Sequence, residues 1–363
     1  MTTPELPVRT FDSNDPAELA RLRILDAAAN RASEGLRVVE DFVRFSLDDA
    51  FLTTELKSVR HELTAALAFI GTGDRLRTRE TLADVGVAVK AAGEFDRPDL
   101  TAVVAASFER LKQALRSLEE YCKVCDADAA RRLETLRYRT YTLERVVDIT
   151  RQSITRLADA RLYVLIDGCA SESEFGNLAA ALVKSGVSLL QLREKSLGDR
   201  ELSARARLLR QITRGSDTLF IMNDRPDLAV LADADGVHVG QEELSVKDAR
   251  TIVGPRRLIG VSTHNIEQAR QAVLDGADYI GVGPTFPGTT KQFNQFPGVD
   301  LVRAVSSEIR LPAYPIGGIT LLNVREVLRA GATRVCVSAS VCKAADPSAA
   351  AADFLSLLSA SSD

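Results

Sequence analysis

The run Lys184-Ser185-Gly186-Val187-Ser188-Leu189-Leu190-Gln191-Leu192-Arg193-Glu194-Lys195 reads as a helix end, a glycine stop, a short apolar strand and a charged strand exit. Its first half returns twice, as Leu274-Asp-Gly276-Ala-Asp-Tyr-Ile280 and Arg329-Ala-Gly331-Ala-Thr-Arg-Val335. Repeated helix-to-strand connections of this kind call for parallel strands joined by crossover helices. Eight apolar runs qualify as strands: Leu162 to Ile166, Ser188 to Leu192, Leu219 to Met222, Gly236 to Val239, Leu258 to Val261, Tyr279 to Val282, Ala313 to Ile316 and Arg334 to Val337. Eight such units in about 200 residues predict an α/β fold, a compact (β/α)8 TIM barrel. A doubly wound sheet is the alternative, weakened because no Gly-x-Gly-x-x-Gly follows the first strand.

Side chains alternate along a strand, so Gln191, Arg193 and Lys195 leave the second strand on one side. Two cations and an amide gathered there suit a phosphate or carboxylate ligand, although a solvated strand exit explains them as well. The other strand ends decide between these readings, because a barrel of this type carries its active site at the C-terminal ends of its strands. The third strand is followed by Asn223 and Asp224, the fourth by Gly240-Gln241-Glu242-Glu243 and the fifth by Ser262-Thr263-His264. The sixth leads into Gly283-Pro-Thr-Phe-Pro-Gly288-Thr289-Thr290-Lys291, the seventh into Gly317-Gly318-Ile-Thr320 and the eighth into Ser338-Ala339-Ser340. Polar or glycine-rich exits almost all the way round are more than a scaffold needs. Gly317-Gly318 with Ser338 and Ala339 matches a barrel phosphate site held by backbone N–H groups, or it is simply a turn. Asp224 and Glu243 are hard oxygen ligands suited to Mg²⁺, or separately a helix cap and a salt-bridge partner.

The first part of the chain obeys another period. Asp15-Pro16-Ala17-Glu18 starts a helix, and Leu25, Ala29, Ala32, Leu36, Val39 and Val43 line one face of it. Opposite them runs a polar stripe of Asn30, Glu34, Arg37, Asp41 and Arg44. Seventy-nine residues later the segment Glu109 to Tyr121 repeats Asn30 to Phe42, aligning Arg116 with Arg37, Glu119 with Glu40 and Glu120 with Asp41. The repeat suggests two equivalent helices facing each other in a bundle, while the stripes also read as solvated salt bridges at i, i+4 spacing. Arg79 and Asp84-Val85-Gly86 between them could add polar groups to a pocket. The expected organisation is a flexible lead-in over 1–14, an all-α helical domain over 15–155 and the barrel over 156–363.

Composition narrows the classes further. In 363 residues, a net charge of -4 and no basic run argue against a nucleic-acid partner. No apolar stretch has the length of a membrane span, and Met1-Thr-Thr-Pro-Glu-Leu-Pro lacks a signal-peptide layout, which leads to the expectation of a cytoplasmic protein. Five cysteines, an odd number, read as reduced thiols, and Cys122-x-x-Cys125 has no second pair to complete a zinc site. Only His61, His238 and His264 are present, too few for a multi-histidine centre.

Taken together, Gln191 to Lys195, Asn223-Asp224, Asp235-Gly-Val-His-Val-Gly-Gln-Glu242, Gly260-Val-Ser-Thr-His264, Gly281 to Lys291 and Ile316-Gly-Gly-Ile-Thr320 resemble thiamine-phosphate synthase. The likeness spans Arg161 to Lys343. It implies Mg²⁺-assisted loss of diphosphate from hydroxymethylpyrimidine diphosphate, followed by attack of a thiazole phosphate nitrogen on the pyrimidine methyl cation. It also implies that Gln191, Leu192, Arg193, Glu194, Lys195, Asn223, Ser262 and Lys291 hold the pyrimidine diphosphate, with Asp224 and Glu243 on the metal. Arg193, Lys195, Ser262 and Lys291 would then serve the chemistry. Thr289, Thr290, Gly318, Ser338 and Ala339 would hold the thiazole phosphate. Two positions depart from the family: Glu243 stands where Asp is usual, and Ser338-Ala339 where an aliphatic-Ser pair is usual. A diphosphate leaving group needs positive charge and no protein nucleophile, so the lack of a Ser-His-Asp or Cys pattern is consistent with that reaction.

The helical part, through Asn30 to Phe45 and Lys57-x-x-Arg60-His61-Glu62-Leu63, resembles the domain often fused ahead of this synthase, which is associated with phosphorylating hydroxymethylpyrimidine phosphate. That implies ATP as a further small-molecule partner, although no Walker-type loop is present. Alternatively the helical part is a non-catalytic dimerisation or regulatory module, which would make the protein a homo-oligomer. A third reading assigns the barrel to the related thiazole-phosphate tautomerase. Against it stand Arg193, Lys195, Asp224 and Lys291, since an isomerase has no diphosphate to bind.

Overall fold

A computed structural model describes residues 15–79, 96–287 and 296–360. The chain divides into two compact units, Met1–Val147 and Asp148–Asp363. The division falls inside a long helix, Ala127–Arg156, whereas the change of sequence pattern places the boundary at 155/156.

The first unit is helical: α1 (Pro16–Phe42), α2 (Ala50–Ala66), α3 (Thr72–Thr78), α4 (Leu100–Cys122) and the start of α5 (Ala127–Arg156). Asp15 caps α1 by accepting from Ala17 N at 2.9 Å, with Pro16 at the first helical position. The predicted apolar stripe is buried, and α1 packs along α4. Gly35 sets that approach, because a Cβ there would sit 2.9 Å from the Ser107 carbonyl oxygen. A π-helical turn, Val43–Leu47, and the left-handed Asp48 (φ 56°) end the helix and reverse the chain. The repeat is visible in three dimensions. Glu40 and Glu119, its matched positions, are both buried, and each meets an arginine of the following long helix: Arg60 at 3.0 Å and Arg137 at 2.8 Å.

The second unit is a barrel of eight parallel strands: β1 (Leu162–Ile166), β2 (Leu189–Leu192), β3 (Leu219–Asn223), β4 (Gly236–Val239), β5 (Leu258–Thr263), β6 (Tyr279–Val282), β7 (Ala313–Pro315) and β8 (Val335–Val337). The order is β7-β6-β5-β4-β3-β2-β1-β8, and a parallel bridge from Ile316 to Cys336 joins the two ends of the row. A doubly wound sheet is thereby excluded. Ser171 caps the helix after β1, its hydroxyl accepting from Glu174 N at 3.2 Å. Leu157, Ala160, Tyr163, Leu189, Ile221, Leu258, Tyr279, Tyr314 and Cys336 fill the lower interior. Tyr314 Oη donates to the Ala160 carbonyl at 2.8 Å, which ties that plug to the wall.

Candidate active site at the barrel mouth

The register sets the predicted residues in steps along neighbouring strands. Gln191 pairs with Ile221, two residues before Asn223, and Asn223 pairs with His238, whose partner Gly260 lies two residues before Ser262. Gln191 is buried with its side chain in the barrel, and Leu192 beside it is fully buried in the wall. Arg193 follows with its backbone N donating to the Ile166 carbonyl at 2.8 Å. Its half-buried guanidinium makes no ion pair among the described residues and is close enough to act on the His238 imidazole.

Lys195 reaches across to Asp224, Nζ to carboxylate 3.5 Å. Asp224 holds a left-handed backbone (φ 58°), a conformation that aspartate tolerates better than most residues, and its N–H donates to the His238 carbonyl at 2.8 Å. Asn223 beside it is buried. Glu243 lies over the end of β4, where a Cβ on Gly240 would run into its carboxylate. Among the described residues no cluster of three or more metal-ligating side chains occurs.

Two predicted residues turn their side chains elsewhere. Glu194 accepts from Gly168 N at 2.8 Å, Ser196 N at 2.5 Å and Ser196 Oγ at 2.6 Å, pinning the loop after β2 to the loop after β1. Burial opposes its ionisation, yet these donors outweigh burial and hold the carboxyl at about 2. Ser338 donates its hydroxyl to the Leu165 carbonyl at 2.9 Å, so only backbone groups of Ser338 and Ala339 remain for a ligand. Gly317 and Gly318 carry φ of 101° and 62°, and a Cβ on Gly318 would lie 2.6 Å from the Pro287 carbonyl oxygen. Thr289, Thr290 and Lys291 lie outside the described residues.

The sequence gives no role to several further contributors. Asn323 shapes the Gly317-Gly318 turn, donating to Gly318 O at 2.9 Å and accepting from Thr320 N at 2.8 Å. Gln241 donates to the Ser262 carbonyl at 2.6 Å. Inside the barrel, Gln191 Nε2 donates to Tyr163 Oη; Tyr163 and Tyr279 hydroxyls are 2.9 Å apart; His238 Nδ1 is 3.3 Å from Tyr279 Oη and its Nε2 is 3.0 Å from Ser262 Oγ. Burial, reinforced by nearby Arg193, lowers His238 to about 4, so the imidazole is neutral at pH 7. Burial likewise pushes both tyrosines up, and they stay protonated.

In the helical unit the polar stripe is largely committed to local partners. Asn30 donates to Asp26 at 3.3 Å, Arg37 lies 3.8 Å from Glu40, and Arg116 lies 2.7 Å from both Glu119 and Glu120. Arg44 stacks on the exposed Phe45, while Glu34 and Asp41 face solvent. Buried Asp26 is held by Arg79 through bonds of 2.7 and 2.9 Å. Asp84-Val85-Gly86 lie outside the described residues. Cys122 is buried at the end of α4 and Cys125 half-buried, both free thiols.

The profile of the thiamine monophosphate synthase family matches residues 162–341, and that of the ThiD2 family matches residues 23–146. A thiamine-phosphate synthase of Rhodopirellula baltica is 46% identical over 330 residues, covering 88% of each chain. One from Gloeobacter violaceus is 42% identical over 341 residues, 93% of this chain and 96% of the relative. Among solved structures, thiamine phosphate pyrophosphorylase from Pyrococcus furiosus superposes with a TM-score of 0.51 at 31% identity, covering 56% of this chain and 96% of that one. No helix among the described residues is long and apolar enough to cross a membrane.

Proposed function

The chain belongs to the thiamine-phosphate synthase family, and on that basis we propose that its barrel joins hydroxymethylpyrimidine diphosphate to hydroxyethylthiazole phosphate at the mouth formed by β2 to β5. The observation that carries the proposal is Arg193, which makes no ion pair among the described residues, beside the Lys195 and Asp224 pair and buried Asn223 at the ends of the adjacent strands β2 and β3. Breaking the bond to a diphosphate leaves negative charge on the departing oxygens. Arg193 and Lys195 would meet that charge, since donors held in position need no rearrangement as it develops. Ser262 and Gln191 would orient the pyrimidine. The glycine turn held by Asn323 would offer backbone N–H groups to the thiazole phosphate across the mouth.

The donor set also fits a divalent cation of the Mg²⁺ type. Mg²⁺ keeps several waters and needs only one or two carboxylates when a substrate phosphate completes its shell, and Asp224 and Glu243 would supply that number. When bound it would add positive charge on the diphosphate. Glu243 in place of the usual aspartate has the length to fold back over Gly240.

For the helical unit we propose the phosphorylation that supplies the pyrimidine diphosphate, with ATP as donor. Arg37, Arg116 and Glu120 are already engaged in local ion pairs, which keeps a purely structural or dimerising role as the competing outcome. One assay addresses both units. The purified chain, given Mg²⁺, thiazole phosphate and preformed pyrimidine diphosphate, should release thiamine phosphate; no product would overturn the barrel assignment. Replacing the diphosphate by the pyrimidine monophosphate and ATP should give the same product. Turnover only with the preformed diphosphate would remove the kinase role.

A further inference from the structure

A barrel interior of this size is normally filled by branched apolar side chains. Here five polar side chains from five strands form one continuous line: Gln191 (β2), Tyr163 (β1), Tyr279 (β6), His238 (β4) and Ser262 (β5). The four that precede Ser262 are buried, Gln191 at 2% exposure and Tyr279 at 0%. Phenylalanine would fill either tyrosine site without a hydroxyl to satisfy, so the line is not explained by packing. Room for it is made at the expense of strand propensity. A Cβ on Gly260 would overlap the Tyr279 ring, and one on Gly281 would lie 3.4 Å from His238 Cε1.

Counting protons along the line gives it a direction. The Gln191 amide N–H₂ can only donate, so Tyr163 Oη accepts from it, and the Tyr163 hydrogen goes to Tyr279 Oη, the one acceptor in reach of it among the described residues. Tyr279 then donates to His238 Nδ1, which must be unprotonated. A neutral imidazole carries its single proton on the other nitrogen, so Nε2–H donates to Ser262 Oγ. The Ser262 oxygen is thereby used as an acceptor from behind, and its hydroxyl hydrogen points away from the histidine.

We propose that His238 is a positioning residue that, through this one-way line, presents Ser262 to the substrate as an obligate hydrogen-bond donor. The substrate atom it meets is therefore an acceptor, an unprotonated ring nitrogen or a phosphate oxygen. This rests on the placement of Ser262 in the pyrimidine diphosphate site.

The test uses the full chain labelled with ¹⁵N-histidine. Only three histidines are present, so His238→Gln assigns the resonance. Long-range ¹H–¹⁵N correlation should show His238 protonated at Nε2 and bare at Nδ1. A proton on Nδ1 reverses the line and overturns the proposal, while leaving Ser262 free to bind substrate. Kinetics give the second arm. Tyr279→Phe keeps the ring and removes the hydroxyl that fixes the tautomer; it should lower kcat/KM for the pyrimidine diphosphate roughly tenfold, the effect of one oriented hydrogen bond. KM for the thiazole phosphate should not move. His238→Gln, whose amide both accepts and donates, should keep activity within roughly threefold of wild type. In a Ser262→Ala background Tyr279→Phe should cost nothing further. An undiminished cost there makes Tyr279 merely structural and overturns the proposal. Wild-type kinetics for Ser262→Ala alone would instead remove Ser262 from the site and overturn the placement on which the proposal rests.

Discussion

Glu194 offers the sharpest quantitative test of how the mouth is held together. Its carboxylate takes three hydrogen bonds from Gly168 and Ser196 and so ties the loop that carries Arg193 and Lys195 to the loop after β1. Glu194→Gln keeps the length of the side chain but loses the charge, and one oxygen acceptor becomes a donor facing an N–H group. The carboxyl sits at about 2 against an ordinary 4.5, a shift whose ceiling is about 3 kcal/mol. Solvent around this half-buried group reduces that to about 1–2 kcal/mol. The folded-state value is depressed, so the stabilisation is fully present above pH 4.5 and is lost as pH falls toward 2. Urea unfolding of the barrel should therefore show the variant less stable by about 1–2 kcal/mol at pH 7, with roughly half of that difference gone near pH 3. A carbon-detected titration of Glu194 should find its midpoint well below that of an exposed glutamate. A stability difference that does not change between pH 7 and 3 would refute the charge argument. A midpoint near 4.5 would do the same.

Further outcomes follow from other parts of the molecule. Arg193→Ala should lower coupling from preformed diphosphate by at least roughly 100-fold with an unchanged circular dichroism spectrum, since the guanidinium has no ion-pair partner to lose among the described residues. Asp224→Asn should raise the Mg²⁺ concentration needed for half-maximal rate, and a chelator should stop wild-type coupling until Mg²⁺ is restored; a rate indifferent to chelation would dismiss the cation site. Gly260→Ala should cost about 3 kcal/mol or more, because the methyl overlaps the Tyr279 ring within a closed barrel; a near-neutral melt would show that the ring can move aside. In the helical unit Arg137→Ala removes the buried partner of Glu119 while Arg116 stays 2.7 Å from its other oxygen, and should lower the stability of that unit by about 2 kcal/mol, read from its thermal unfolding.

Much of the barrel is legible in the order of residues, for a physical reason. The glycine stops at Gly186, Gly276 and Gly331 take left-handed backbones (φ 81°, 86° and 98°) at the helix-to-strand turns, and the apolar runs after them are buried strands. Such signals are local. The strand exits are legible on the same grounds, since a fold of known polarity assigns each exit to one face. Glu194 shows where this fails: sequence places it beside two cations and suggests a ligand contact, but its acceptors are filled by N–H groups of its own loop and of Gly168.

Residue order alone is thus enough for the two-part architecture, the βα repeat, the ring of polar exits and the paired helices carrying Glu40 and Glu119. Which side chains share a level inside the barrel is settled only once the chain has folded. The line from Gln191 to Ser262 joins residues up to 116 positions apart, and nothing in the spacing of Tyr163 and Tyr279 announces it. Inward-facing residues of non-adjacent strands meet only when the sheet closes, and closure fixes their height through strand tilt and register. The same holds for Asp26 and Arg79, 53 positions apart, which meet because the helices pack. Local chemistry wrote the parts; burial of the interior chose which polar groups had to find one another.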